Sequence, residues 1–502
     1  MMGRQAKGQQ VKMFYKGFSL EQRVRSDHPL RKINELIDFD FTYKEVADSY
    51  GLNGNVSVPP PVILKLMLLL ILYNVRSERE LMATIPERID WTWFLGLDLD
   101  EPIPDHSVLS KARARWGSAA FKSFFERIVW QCIEAGLVDG SKIFMDASLI
   151  QADASINSVV KKTKGLRRRI RHNFRELEAR LDDNPQAGKD RRVVNSTRES
   201  TTDPDAAIVR HKMGPAKPSY KVHRAVDVQS EVITAASVTP ADVNEGHMLS
   251  KLIDEHGQNT QKQAEVVVAD SQYGTARNYL ECLDRGIEAH IPSLNTTHKK
   301  KGIFSDELFG YNPQDDTFLC PAGNRLSCRK YSKKANAFEY RCLTRLCKEC
   351  SLRDQCTTSS KKGRTIQRHV RYDEIEHMRE KAREPASKRD IRTRKHLMER
   401  SFARAVRLGF KRARWRRLWR VQIQEYLTAA IQNIMILIRY VKEPGLARSM
   451  AMAKRGKPPC EAARTRVLIA RVRAFSRPLC LFFKPLQAIS PDWRYLAVSK
   501  RL

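Results

Sequence analysis

The sequence predicts a mixed α/β fold, in which a helical region precedes a sheet-containing core and two inserts interrupt that core. Three kinds of segment lead to this prediction: short apolar runs that end in acids, alternating segments joined by a tight turn, and amphipathic segments between them. At 502 residues the chain is long enough for two or three domains, because single hydrophobic cores rarely grow beyond about 250 to 300 residues.

Residues 15–120 are predicted to form an all-α domain. Residues 59–61 are prolines that precede an apolar helix, and Ser77 with Glu80 has the spacing of a capping box that opens a second helix. The apolar run from Pro61 to Tyr73 contains a lysine and is shorter than the roughly 20 residues that cross a bilayer. This run therefore predicts a buried core helix rather than a membrane span.

Residues 141–440 carry the elements of the predicted core. In order, these are a strand ending in Asp146, a hairpin from Lys221 to Val238, a helix from Glu245 to His256, a strand ending in Asp270, a helix after Gly274, and a strand from Glu288 to Pro292. This is the order of an RNase H-like fold, which needs one further helix packed on its sheet. The region after Lys388 supplies that helix.

Two inserts and a tail lie outside this pattern. The first insert, residues 155–217, contains a highly charged helix with the run Leu166-Arg167-Arg168-Arg169-Ile170-Arg171. The second insert, residues 293–387, holds six of the ten cysteines. Residues 441–502 form a basic, proline-rich tail, which is either an extended arm that neutralises phosphate or a disordered segment.

The charge of the chain points to a polyanionic partner. Ninety Lys and Arg against 57 Asp and Glu give a net charge of +33, a surplus too large for an enzyme of small metabolites. Nucleic acid and anionic membrane both bind such surfaces. Because neither a membrane span nor a secretory signal is visible, we expect a cytoplasmic, nucleoid-associated protein without membrane contact.

Three acids stand out as candidate metal ligands. Asp146 and Asp270 follow predicted strands, and in open α/β sheets sites lie beyond the carboxyl ends of strands. Glu399 is the only acid between Ile391 and Arg420, a segment with 12 Lys and Arg. Considered alone, Glu399 could equally form local ion pairs on its helix. Cleavage of phosphodiesters with two metal ions requires several converging carboxylates, and three are enough for Mg²⁺.

Several separate stretches resemble bacterial insertion-sequence transposases that carry a DDE triad on an RNase H-like core, and the resemblance extends over roughly residues 15–440. The stretches are Pro59-Pro60-Pro61 through Leu81, Pro104-Asp105-His106-Ser107, Phe144-Met145-Asp146-Ala147-Ser148, Thr202-Asp203-Pro204-Asp205-Ala206, Tyr220-Lys221-Val222-His223, Val268-Ala269-Asp270-Ser271-Gln272-Tyr273-Gly274 and His396-Leu397-Met398-Glu399-Arg400-Ser401-Phe402. Their order and spacing, taken together, make the resemblance specific.

The resemblance implies that Asp146, Asp270 and Glu399 hold two Mg²⁺ or Mn²⁺ ions. It implies cleavage of double-stranded DNA at the element ends, transfer of the freed 3′-hydroxyl to target DNA, and a homodimer or higher oligomer on paired ends. Many relatives have an arginine four residues before the glutamate and a lysine seven after it. Here these positions are Lys395 and Val406, with Arg407 adjacent.

The cysteines of the second insert predict a structural zinc site. Cys347 and Cys350 have the two-residue gap of a zinc knuckle. The predicted ligand set is Cys320, Cys342, Cys347 and Cys350, with Cys328 or Cys356 as a substitute for any one of them. The alternative is a group of reduced thiols around a small core.

Basic residues around and after Glu399 are predicted to contact DNA: Lys395, Arg407, Arg412, Arg416 and Arg420. The last three recur every four residues and so predict one face of an arginine-rich helix. Two alternatives to a transposase remain open. One is a structure-specific nuclease on the same core, and the other is a non-catalytic DNA-binding protein descended from a transposase.

Overall fold

The computed structural model describes residues 2–4, 19–51, 56–161, 195, 197–210, 214–294, 303–333, 335–357, 359 and 362–440. The charged helix predicted for the first insert and the predicted tail lie outside these residues. The predicted combination of a helical N-terminal region with a mixed sheet is confirmed.

The N-terminal region is built from helices. They are α1 (Leu20–Arg23), α2 (Pro29–Leu36), α3 (Phe41–Glu45), α4 (Pro60–Leu72), α5 (Glu78–Thr84), α6 (Ile89–Leu95), α7 (Ser107–Trp116) and α8 (Ala119–Glu134), and strands β1 (Met2–Arg4) and β2 (Tyr50–Gly51) pair beside them. Helix α4 is the predicted core helix, apolar on all sides and buried almost throughout. The Ser77 hydroxyl accepts a hydrogen bond from the Glu80 amide at 3.1 Å, which is half of the predicted capping box.

A six-stranded mixed sheet forms the centre of the catalytic core. Its strands are β3 (Lys142–Gln151), β6 (Ala207–Arg210), β7 (Ala216–Asp227), β8 (Ile233–Pro240), β9 (Val266–Val268) and β10 (Glu288–His290). Strand β3 lies between antiparallel β7 and parallel β9, β10 continues beyond β9, and both β8 and β6 pair with β7. A separate pair, β4 (Val159–Lys161) and β5 (Arg198–Ser200), belongs to the first insert.

Helices cover both faces of this sheet. One face packs on α9 (Leu249–Thr260), α10 (Ala276–Asp284) and α13 (Tyr372–Arg383). The other face packs on the long helices α14 (Pro385–Arg407) and α15 (Leu418–Tyr440), and in the same cluster on α4 and α8. The N-terminal helices and the sheet therefore share one continuous hydrophobic core.

The second insert folds as an antiparallel five-stranded sheet of its own. Its strands are β11 (Gly310–Asn312), β12 (Thr317–Leu319), β13 (Arg325–Ser332), β14 (Ala337–Cys342) and β15 (Thr365–His369), paired in that order, with the short helices α11 (Thr344–Lys348) and α12 (Arg353–Cys356) between the last two. A small core around Phe318, Leu326 and Tyr340 holds this sheet together.

The predicted arginine-rich helix is wrong. Helix α14 ends at Arg407 and α15 begins at Leu418, so residues 408–417 form an irregular connection. Gly409 (φ +83°) and Arg417 (φ +81°) have left-handed backbone angles that interrupt a helix. Arg412, Arg416 and Arg420 therefore do not share a helical face.

Candidate acidic site

The sheet places two of the predicted acids at the same edge. Strand β9 pairs with β3 only over Lys142–Phe144, so Asp146 lies two residues beyond the paired segment. Asp270 lies two residues beyond Val268, the last residue of β9. Since the two strands are parallel, both carboxylates meet past the carboxyl end of β9. The predicted strand end at Asp146 is wrong, because β3 continues to Gln151 through its pairing with β7.

A third carboxylate joins them, and sequence reasoning missed it. Glu245 begins a 3-10 turn, Glu245–Met248, that follows β8. The carboxylate oxygens of Asp146, Glu245 and Asp270 lie within 4.8 Å of one another, and all three residues are half-buried. Converging carboxylates of this kind are the donor set that hard divalent cations prefer, so these residues fit a Mg²⁺ or Mn²⁺ site.

Two cations border the acids. The Arg394 guanidinium, buried on α14, lies with its Nη1 2.9 Å from Asp146 Oδ2 and donates to the Met145 carbonyl at 3.3 Å. Lys221 Nζ lies 3.2 Å from Glu245 Oε1. Three carboxylates against these two cations leave a net negative charge at the edge of the sheet. Neither cation had been predicted as part of the site.

The electrostatics of the acids favour a further cation. Burial raises the pKa of Asp146, the Arg394 charge opposes that rise, and Asp270 adds to it. Burial also raises the pKa of Glu245, with Lys221 opposing and Asp270 adding. Like charges held together disfavour the ionised forms, and a bound cation would favour them. The close approach of the three carboxylates is therefore more favourable with a bound metal ion than without one.

Tyr273 closes the site from the protein side. Its side chain is fully buried, and its hydroxyl has no hydrogen-bond partner among the residues that the structure describes. Burial raises the pKa of Tyr273, and the charges of Glu245, Asp146 and Asp270 raise it further. The charges of the three acids therefore act on this buried hydroxyl, where the sequence motif that ends in Gly274 had indicated only a turn.

Glu399 is exposed on α14 and is not part of the three-acid group. Its neighbours Arg400 and Arg404 pair with Glu231 across from the helix. The helix carries Glu399 five residues beyond Arg394, which corresponds to about 7.5 Å along the axis. The role predicted for Glu399 in metal binding stays a prediction.

The predicted DNA-contacting residues lie at the surface near α14. Lys395, Arg407, Arg412 and Arg416 are exposed, and Arg420 is half-buried. Arg412 and Arg416 both form ion pairs with Asp153, at 2.7 and 3.2 Å. The guanidinium of Arg420 lies 4.8 Å from the centre of the Trp419 ring.

The insert cysteines gather around one cavity. Its lining includes five of the six: Cys320, Cys342, Cys347, Cys350 and Cys356. Cys328 is exposed on β13 and is not part of that lining. Burial, together with a hydrogen bond with Cys347, raises the pKa of the Cys342 thiol to about 12. In the described part of the insert, no three thiols approach one another as closely as the three acids do.

Comparisons with known proteins agree with this picture. Residues 18–115 match the family described as "Transposase domain (DUF772)", and residues 187–434 match the "Transposase DDE domain". The second match includes Glu245, Asp270 and Glu399 but begins after Asp146. No curated protein matches the chain.

Among solved structures, the chain is similar to a piggyBac transposase in a synaptic complex with hairpin DNA, determined by cryo-electron microscopy. The identity is 8%, the TM-score is 0.33, and the similarity covers 90% of this chain and 83% of that chain. No helix in the described residues is long and apolar enough to cross a membrane. The two family matches together extend over well over half of the sequence, and the chain belongs to the DDE transposases.

Proposed function

We propose that this transposase cuts double-stranded DNA at the ends of an insertion sequence and joins the freed 3′ ends to target DNA, using Asp146, Asp270 and Glu399 to hold two divalent metal ions. The observation that carries the proposal is the convergence of Asp146 and Asp270 at one edge of the sheet. The strand order β8-β7-β3-β9-β10, with its antiparallel hairpin and parallel edge, supports an RNase H-like core.

The chain's own residues would prepare the site for this chemistry. When bound, Mg²⁺ or Mn²⁺ supplies Lewis acidity for in-line displacement at phosphorus. Arg394 holds the Asp146 carboxylate in place, and Asp270 is oriented by the Gln272 amide, which donates to its Oδ1 at 2.9 Å. Such preorientation lowers the cost of assembling the ligand group.

Glu399 is suited to act as a metal ligand that completes the acidic site when DNA binds. It lies on the same helix as Arg394, yet it is exposed, so its side chain can turn without breaking a packed core. The helix around it is strongly basic, and a lone carboxylate among cations fits a position where phosphate and metal meet. Lys395 and Arg407, on the same helix, would neutralise nearby phosphates.

The net charge of +33 supports a long DNA contact that includes the N-terminal helices and the basic segments of the first insert. We expect the protein to work as a dimer or higher oligomer, because two element ends must be held together before strand transfer.

Conservative substitution of the acids tests the proposal. Asp146→Asn, Asp270→Asn and Glu399→Gln should each abolish Mg²⁺-dependent cleavage of a plasmid carrying the element ends, because each removes a ligand charge at nearly constant volume. Binding to end DNA should persist in an electrophoretic mobility assay. Asp284→Asn, which alters an exposed carboxylate paired with Arg371, is the matched control and should cleave normally.

The products of this assay also separate the alternatives. Joined products with target DNA identify a transposase, whereas cleavage without joining would identify a nuclease. End binding by wild-type protein that neither cleaves nor joins would favour a non-catalytic descendant. Normal cleavage by one of the three variants would remove that residue from the triad.

We also propose that the second insert binds one structural Zn²⁺ through four of the cysteines around its cavity. The spacing favours Cys320, Cys342, Cys347 and Cys350, and the cavity makes Cys356 the preferred substitute over exposed Cys328. The alternative is supported by packing, since Cys320, Cys342, Cys347 and Cys356 also contact the apolar core of the insert.

Metal analysis of protein purified without chelator distinguishes the two. We expect about one zinc per chain, because four thiolates complete one tetrahedral site. Cys342→Ser combined with Cys347→Ser should lose this zinc, and Cys328→Ser should keep it. Well-folded wild-type protein that contains no zinc would establish the thiol core instead.

A further inference from the structure

We propose that Glu245 is a ligand of the divalent metal that Asp146 and Asp270 hold, and that the Tyr273 hydroxyl donates a hydrogen bond within this ligand group. The proposal rests on the function proposed above and adds two residues to its metal site. Its starting point is that the described residues bring Glu245, rather than Glu399, within 4.8 Å of the other two acids.

The loop that carries Glu245 is fixed to the loop that carries Asp270. The buried Asn278 amide donates to the carbonyl of Gly246 and to the carbonyl of Tyr273, both at 2.9 Å. A Cβ atom at Gly246 would lie 2.9 Å from the Gln272 carbonyl oxygen, so only glycine allows the two loops to approach this closely. The position of Glu245 beside Asp270 is therefore built into the fold.

Tyr273 provides the second observation that points to a ligand. Its ring belongs to the hydrophobic core that the sheet forms with α9, α10 and α13, and its hydroxyl is buried without a partner among the described residues. Buried polar groups in native proteins are rarely left unsatisfied. When a cation draws the carboxylate oxygens together, one of them accepts a hydrogen bond from this hydroxyl, and the buried group is then satisfied.

The alternative is that Glu245 only forms an ion pair with Lys221. That lysine also donates to the Val243 carbonyl at 3.0 Å, so it is held in place independently of the glutamate. One lysine and one arginine balance two of the three carboxylates. In the part of the chain that the structure describes, the third carboxylate has no such cation to balance it. This unbalanced negative charge is expected of a cation-binding site and not of a group of ion pairs that neutralise one another.

Direct measurement of Mn²⁺ binding to the full-length protein without DNA tests the proposal, with titration calorimetry as the readout. Glu245→Gln should weaken Mn²⁺ binding at least about tenfold, and Tyr273→Phe by a smaller factor, as expected for a ligand and its hydrogen-bond partner. Asp242→Asn is the matched control: it removes one charge from the same loop outside the three-acid group, and its affinity should stay within about twofold of wild type.

Lys221→Met separates the two roles of Glu245. If Glu245 is a ligand, loss of Lys221 leaves Mn²⁺ affinity unchanged or higher, because one competing cation is gone. If Glu245 is only an ion-pair partner, Lys221→Met and Glu245→Gln should weaken binding equally through loss of loop order. Thermal unfolding of each variant identifies any that fail to fold.

The outcomes for the two proposals are distinct. Mn²⁺ binding that is lost in Asp270→Asn but unchanged in Glu245→Gln overturns this inference and leaves the proposed function intact. Wild-type protein that binds no Mn²⁺ overturns it as well. Failure of the proposed function appears separately, as absence of cleavage by wild-type protein on element ends.

Discussion

Asp203 shows how one buried residue couples distant parts of the chain. Its Oδ1 accepts hydrogen bonds from the Tyr220 hydroxyl at 2.7 Å and from the Arg417 amide at 3.0 Å. Asp205 accepts from the Leu418 amide at 3.1 Å, so the two aspartates cap the start of α15. The two acids therefore hold this loop against the start of α15.

The buried position of Asp203 predicts a pH dependence of stability. Burial raises its pKa to about 6, although Tyr220 and the Arg417 amide oppose the rise. In the unfolded chain an aspartate titrates near about 3.9. The folded protein therefore keeps this proton to higher pH, and the contribution of Asp203 to the free energy of unfolding falls as pH rises from about 4 to about 6.

Asp203→Asn keeps an oxygen acceptor but removes the charge, so it should remove this pH dependence. Relative to wild type, the variant should gain on the order of 2 kcal/mol at pH 7.5 and little at pH 4.5. Urea unfolding at the two pH values measures the difference. Asp203→Ala, which loses both hydrogen bonds, should be destabilised at each pH. An equal change for Asp203→Asn at both pH values would contradict the argument.

At the scale of elements, the connection between α14 and α15 explains why the arginine pattern was misleading. A spacing of four residues is typical of one face of a helix. Arginines with the same spacing can also lie in an irregular segment that is held in place by contacts with another element. Here the Gln151 amide donates to the Lys411 carbonyl at 3.1 Å, and the Ala413 amide donates to the Gln151 carbonyl at 2.7 Å. The connection thus docks on the end of β3, and it presents Arg412 and Arg416 at the surface beside Asp153.

These two arginines remain good candidates for binding phosphate. Replacing both Arg412 and Arg416 by Gln should weaken binding to any duplex and reduce the slope of log affinity against log salt by roughly 0.9 for each phosphate that is no longer neutralised. Fluorescence anisotropy with end and random DNA across a salt series measures both effects.

Asp153→Asn provides the reciprocal control for that experiment. It removes the carboxylate that competes with phosphate for both guanidinium groups and should leave affinity unchanged or raise it. An unchanged slope in the double arginine variant would show that these residues are only solvated, and a weakening confined to end DNA would show that they read bases.

At the scale of the whole molecule, the features that could be predicted from the sequence are those that depend on the local pattern of apolar and polar residues. The order of strands and helices follows from these patterns, and so does the position of Asp270 just beyond β9. The apolar run before Asp146 identified the right strand but not its end, because β3 continues to Gln151. Glu245 could not be found in this way, because it lies in a loop whose approach to Asp270 depends on Gly246 and Asn278. The signal that the sequence did offer is that Glu245 follows a predicted strand, as Asp270 does.

Other features depended on contacts between distant parts of the chain. Arg394 was one of many basic residues on its helix, and only the packing of α14 against β3 singles it out. Helices α4, α8 and α15 share one hydrophobic core, and the sequence of any one of them does not indicate this. Sequence patterns show which faces are apolar, but they do not show which apolar faces meet.

The place of α15 in the shared core has a consequence for the synthesis of the protein. This helix, the last described element to leave the ribosome, covers surfaces made hundreds of residues earlier. Its Glu425 pairs with buried Arg224 across 201 positions of the chain. A product that stops before Leu418 would expose the apolar faces of α4, α8 and the sheet to water, and such surfaces attract chaperones and proteases. A chain that lacks α15 is therefore expected to be unstable even though it contains every acid of the site.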